Sequence, residues 1–167
     1  MGELLSRLDQ PVEAMDSHRR ALEIRERLVR DHPAVLEYLI DLAATRRNLA
    51  ELEMRQGRWP EARKRSAEAV RAAQQLAALA RGSPSELYNA ACTLALSVPL
   101  TQGKQREELG AQAVDVLREA IAAGWRDAAH TGHDPNLIPL RDRDDFRRLL
   151  AELLDEGFPA DPFAPAD

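Results

Sequence analysis

The sequence predicts an all-α protein assembled as a stack of helix–turn–helix units, and three observations predict it. Alanine pairs seven residues apart, Ala14/Ala21, Ala62/Ala69 and Ala113/Ala120, recur at offsets of 48 and then 51 residues. Small residues recurring at near-regular spacing mark the crossings of repeated helix pairs. Alanine, leucine, arginine and glutamate, all strong helix formers, dominate the composition, and β-branched residues are scattered singly, so no strand pattern competes. Hydrophobic residues make up 44% of the 167-residue chain and aromatic residues only 4%. The expected core is therefore aliphatic and alanine-rich, in a chain the size of one domain.

Each element has its own local signal. Residues 1–8 read as a helix stub, with Leu4, Leu5 and Leu8 on or near one face. Pro11 suits the first turn of the next helix, where its missing N–H costs nothing. From Val12 to about Arg30 the apolar residues keep a mostly helical spacing. The pair His32-Pro33 ends that helix, because a residue before proline avoids the α region. A third helix is expected from about Ala34 to Gln56, with Gly57 past its last turn as a C-terminal cap. Pro60 opens a fourth, which runs to about Ala80 and is stopped by Arg81-Gly82. Ser83-Pro84-Ser85-Glu86 is a start signal, with a serine cap, proline first and glutamate three residues on. The fifth helix then covers Pro84 to Ser97. After a loop from Pro99 to about Lys104, a sixth helix runs from about Gln105 to Ala123. Residues 124–141 contain two glycines, two prolines and two histidines and read as an ordered loop with at most a short turn. Asp142 is placed to cap a last helix from Arg143 to Leu154, and the tail from Gly157 to Asp167, with three prolines and no periodicity, is expected to be disordered.

Bulk properties exclude several classes. A net charge of −5 argues against nucleic acid as the main partner. Cys92 is the single cysteine, so an internal disulfide and a multi-cysteine zinc site are excluded. No apolar run approaches the roughly 20 residues that cross a bilayer, and Glu3, Arg7 and Asp9 interrupt any signal-peptide pattern. The expectation is a soluble, cytoplasmic protein without a membrane partner. Met1 falls inside a repeat, which leaves open a segment upstream.

The run Asn48-Leu49-Ala50-Glu51-Leu52, followed by Gln56-Gly57-Arg58-Trp59, Glu61-Ala62 and Ala69-Val70, resembles a tetratricopeptide repeat. Gly2-Glu3-Leu4-Leu5 with Glu13-Ala14 and Ala21-Leu22 repeats the layout, and Tyr88-Asn89-Ala90-Ala91 with Ala113, Leu117 and Ala120 gives a third copy. The family period is about 34 residues, so offsets of 48 and 51 imply longer helices and a loop insertion in the third unit. The resemblance implies a right-handed superhelical stack of about three hairpins over residues 1–123, the first truncated. A connecting loop and a C-terminal capping helix would follow over 124–156. A narrower resemblance joins Tyr88–Cys92, Ala122-Ala123-Gly124-Trp125, Asp134–Arg141 and Asp145-Phe146. This combination is similar to the tetratricopeptide tails of planctomycete-type bacterial serine/threonine protein kinases. The kinase itself is not here: the sequence has no glycine-rich phosphate loop, no Val-Ala-Ile-Lys, no His-Arg-Asp and no Asp-Phe-Gly.

The resemblance implies a concave groove, lined by the first helix of each unit, that takes a protein or peptide segment. Its register assigns Arg47, Asn48, Glu51, Met54 and Arg55 to the groove from the middle unit, and Tyr88, Asn89 and Cys92 from the third. Asn48 and Asn89 could hold a peptide backbone or instead bond within their own repeat. Arg47 and Arg55 could pair with an acidic group or stand solvated. No basic cluster spans several helices, so a chaperone-type terminal carboxylate is not the expected ligand. His130, His133 and Asp134 invite a metal reading, weakened by the glycine and proline among them and by the lack of further ligands. Cys92 would need a neighbouring base to act as a nucleophile, and the small residues around it favour a buried packing thiol. Trp59 and Trp125 each follow a turn and are expected to cover the ends of helix pairs. The mixed charges from Arg19 to Arg27 read as a solvated face. The expected function is noncatalytic protein–protein interaction, without cofactor or metal, as the docking tail of a kinase or as a free-standing adaptor. An incomplete first unit would favour homodimerisation through Leu4, Leu5 and Leu8.

Overall fold

A computed structural model describes residues 11–157. Five helices follow in order: α1 (Pro11–Asp31), α2 (Leu36–Arg55), α3 (Trp59–Leu79), α4 (Pro84–Ser97) and α5 (Gly103–Ala122). A 3-10 turn, Val98–Leu100, links α4 to α5. Beyond α5 come a short α6 (Ala128–His133), a 3-10 segment (Pro135–Leu140) and α7 (Asp144–Gly157). All the regular structure among the described residues is helical. Each helix from α1 to α5 packs on the next, and α2 also touches α4. That last contact stacks the α2–α3 hairpin on the α4–α5 hairpin and makes this a multi-helix repeat arrangement.

The turns follow from glycine chemistry. Gly57 adopts φ 73°, its N–H bonding to the Met54 carbonyl (2.9 Å) and the Arg58 N–H to the Glu53 carbonyl (2.8 Å). This is the Schellman ending that only a residue free to enter the left-handed region makes cheaply. Gly124 ends α5 the same way, at φ 116°, with the Trp125 N–H on the Ala120 carbonyl at 2.9 Å. Ser83 does occupy the N-cap of α4, but its hydroxyl makes no capping bond; only its carbonyl is used, accepting from Leu87 N–H.

Alanine crossings carry the packing. Ala14, Ala62, Ala69, Ala113 and Ala120 are fully buried, while Ala21 on α1 is only half-buried. α4 is buried almost all round, from Leu87 to Ala95 with the exception of Asn89, as expected of a helix enclosed by neighbours. It anchors the larger core cluster with Leu109, Val114 and Leu117 of α5 and with Leu137, Leu140, Phe146 and Leu149 of the C-terminal segment. A second cluster joins α1 to α2 through Ala14, Met15, Leu22, Leu42, Leu49 and Leu52. Each fully buried leucine contributes about 2 kcal/mol of transfer free energy.

Several expectations change here. The charges on α1 are not simply solvated. The Arg25 guanidinium bonds to Thr45 Oγ1 and pairs with Asp41 at 3.1 Å. Glu26 reaches Arg46 at 3.1 Å, and Arg46 extends to Glu68 of α3 at 3.9 Å. Arg46 thus ties three helices together. Residues 124–141, expected as a loop, hold α6 and the 3-10 segment, because Asp127 and Asp134 each cap a helical start with a side-chain oxygen. Asp142 does not cap α7, which begins at Asp144; it faces Arg147 at 3.5 Å. α7 packs on α5 and α6: Arg143, just before it, crosses Gly110 of α5 and bonds both Glu107 (3.0 Å) and Asp145 (2.8 Å), while Leu150 lies beside Gly132 of α6. The Leu4, Leu5 and Leu8 stub and the tail beyond residue 157 lie outside the described residues. Among the described residues, no helix is long and apolar enough to cross a membrane.

Candidate binding groove

α2 places Arg47, Asn48, Glu51, Met54 and Arg55 at successive offsets of one, three, three and one residues, which is one face of a helix. These five side chains line a cavity of about 700 Å³. Its opposite wall is Leu96 at the end of α4, Pro99 and Leu100 of the 3-10 turn, and Asn136 from the C-terminal segment. Asn136 is the residue that sequence reading missed. It belongs to the run from Asp134 to Phe146, and nothing local in that run shows that it reaches a helix 89 positions earlier.

The polar groups of the groove are arranged around Arg47. Its Nε and Nη2 donate to Asn48 Oδ1 (3.1 and 2.8 Å) and its Nη1 to Asn136 Oδ1 (3.3 Å). The guanidinium is therefore held in place by amide oxygens, which fix its plane and leave its charge uncompensated. Arg55 differs, pairing with Glu51 at 2.6 Å on the exposed surface; such a pair is worth about 0.5 kcal/mol. Asn48 bonds within its own repeat, its amide oxygen accepting from Arg47.

Tyr88 and Asn89 are not among the residues that line the cavity. Tyr88 is buried: its ring stacks on Trp125 at 4.1 Å, and its hydroxyl donates to Asp134 Oδ2 at 2.8 Å. Asn89 is exposed, with its carbonyl accepting from Thr93. Cys92 is also withdrawn from the groove, its thiol directed at the same Asp134 oxygen at 3.6 Å.

Asp134 is the centre of this second cluster, only 5% exposed. Burial pushes its carboxyl up, but the Asn136 N–H, the Tyr88 hydroxyl, the Cys92 thiol and nearby His130 together outweigh burial and hold it below the ordinary carboxylate value. The same contacts act in reverse on its donors. Burial first and the Asp134 carboxylate second push both the Tyr88 hydroxyl and the Cys92 thiol far up. Cys92 thus has a carboxylate neighbour, but one that keeps the thiol protonated rather than activating it. His130 Nε2 lies 3.5 Å from Asp134, whereas His133 turns away to bond the Ala129 carbonyl at 2.8 Å. Although α6 is a helix rather than a loop, the two rings still diverge. Among the described residues no three His, Cys, Asp or Glu side chains group as a metal site. Trp125 covers this cluster and donates to Thr131 Oγ1 at 3.0 Å; Trp59, half exposed, covers little.

Comparison with known proteins agrees with this geometry. The tetratricopeptide repeat family matches residues 1–34 and 42–78, the second stretch spanning most of α2 and α3 with the Gly57 turn between them. The α4–α5 hairpin lies outside both stretches. No curated protein gives a match, and no solved structure does. Over part of its length, the chain carries a tetratricopeptide-type helical repeat.

Proposed function

We propose that the groove between α2 and α4 holds an extended segment of a partner protein, with Arg47 receiving an acidic or carbonyl group and Asn48 completing the contact. The observation that carries this reading is the guanidinium of Arg47, oriented by Asn48 and Asn136 on a cavity wall whose one carboxylate, Glu51, is taken by Arg55. In the same reading the helices form a right-handed tetratricopeptide superhelix closed by α7. The module serves as the docking region of a larger signalling protein such as a bacterial serine/threonine kinase. What supports the kinase assignment is the sequence resemblance from Asp134 to Phe146. Pairing of two copies through Leu4, Leu5 and Leu8 is a second mode of interaction in this proposal.

Affinity capture from source cells with the wild-type chain and with an Arg47→Glu/Asn48→Ala variant tests the groove. The expected result is an identified partner retained by the first and lost, about tenfold or more, by the second. Equal retention by both would remove the groove from the interaction. An immunoblot of the native product separates the two contexts: a band well above 18.6 kDa agrees with a kinase in the same chain, and a band at that mass with a free-standing adaptor.

A further inference from the structure

On the other side of the wall formed by Ser66 and Leu100, a second cavity of about 600 Å³ opens between α3 and α5. We infer that this cleft is a separate docking site for an acidic, leucine-bearing segment of a partner protein. α3 presents Arg63, Lys64 and Arg71 to it, all exposed, and none has a carboxylate partner among the described residues. By contrast Arg25, Arg46 and Arg143, which lie at helix contacts, are each paired with a carboxylate. The one carboxylate on the cleft, Glu108, is already held by Lys104 at 3.1 Å.

Between the cations the surface is apolar, with Val70 and Leu100 half-buried and Leu109 buried. The cleft is closed at one end, where Gln74 Nε2 donates to Gln112 Oε1 at 2.9 Å; all its lining residues on both helices lie at or before this bridge. Its wall also contains an unsatisfied group. Ser66 is 4% exposed, and its hydroxyl has no hydrogen-bond partner, although a helical serine normally bonds back to the preceding turn. A ligand in the cleft supplies what each part lacks: carboxylates for the three cations, an aliphatic side chain for the floor, and a polar group for Ser66. An acidic peptide segment carries all three, and a peptide of the opposite charge would be repelled.

The test uses the whole chain, isotopically labelled, titrated with a synthetic peptide of alternating glutamate and leucine and with its lysine–leucine counterpart. The expected result is saturable amide shifts at Val70, Leu100 and Leu109 with the acidic peptide alone, weakened by added salt. An Arg63→Glu/Lys64→Glu/Arg71→Glu variant should bind at least about tenfold more weakly with an unchanged circular dichroism spectrum. Glutamine at the same three positions should give an intermediate loss. Arg47→Glu should leave this binding intact, which separates the cleft from the groove. Unchanged affinity in the triple variant, equal binding of the lysine peptide, or shifts confined to Arg47, Asn48 and Asn136 would overturn the inference. So would tighter binding of a single-stranded RNA at the same residues, or a dimer of this chain that the triple variant abolishes.

Discussion

At the residue scale, the most consequential side chain is Asp134, which accepts from Tyr88, Cys92 and the Asn136 backbone while buried. Its carboxyl lies below its ordinary value of 3.8, so the unfolded chain binds the proton more readily. The stability it contributes is present above about pH 4 and is lost as pH falls through the folded-state value. Tyr88 and Cys92 lie above their ordinary values of 10.0 and 9.0. Their contribution is complete below pH 9 and is lost as pH rises further, because the unfolded chain releases those protons first. The melting temperature should therefore fall on both sides of a plateau, with a limiting slope of about 1.4 kcal/mol per pH unit for each group. Melting curves of Asp134→Asn and Tyr88→Phe check this: the first should flatten the acid limb and the second part of the alkaline limb. An Asp134→Asn profile that matches wild type would mean that the cluster does not couple to folding.

At the scale of elements, alanine at a crossing sets how near two helices approach. Ala113 is fully buried where α5 meets α4, so Ala113→Leu should cost about 1–3 kcal/mol by overpacking, while Ala122→Leu on the exposed side of the same helix should change stability by less than about 0.5 kcal/mol. Urea unfolding of the two variants measures the difference. The same alanine pattern is why so much of the fold was legible in the sequence. Local signals, namely the Gly57 turn, the Pro84 start and the alanine spacing, placed α1 to α5 within two residues of their observed bounds. The C-terminal segment was not legible, because its helical starts depend on Asp127 and Asp134, whose capping role competes with readings of the same residues as loop or ligand. The site was half legible for a related reason. The repeat register implied by the resemblance puts both the α2 face and Tyr88 on the groove, but Tyr88 does not line the cavity. Its withdrawal follows from Trp125 and Asp134, which are distant in sequence. Likewise, Arg25 and Glu26 look solvated along α1 and find their partners, Asp41 and Arg46, only when α2 is laid beside it.

At the scale of the molecule, the helices differ in how many sides they bury. α4 is enclosed by α2, α3, α5 and the 3-10 segment Pro135–Leu140, whereas α1 packs on α2 alone among the helices it touches closely. Repeat stacks open from their ends, since each unit is stabilised by its neighbours. Native-state hydrogen exchange should show amides of α4 exchanging only through global opening, and those of α1 exchanging at least about tenfold faster; uniform protection would contradict a stack of separable units. One feature limits that separability. Asn136 comes from beyond the last hairpin and meets Arg47 on the hairpin before it, so the groove is bounded by parts of the chain on both sides of α5. In most repeat proteins a unit can be gained or lost by duplication while the binding surface merely lengthens or shortens. Here an additional hairpin inserted after α5 would carry Asn136 away from Arg47 and leave the cavity without a wall. The number of units is thus tied to the integrity of the site, and changes of repeat number in this lineage should be found before α2 rather than after α5.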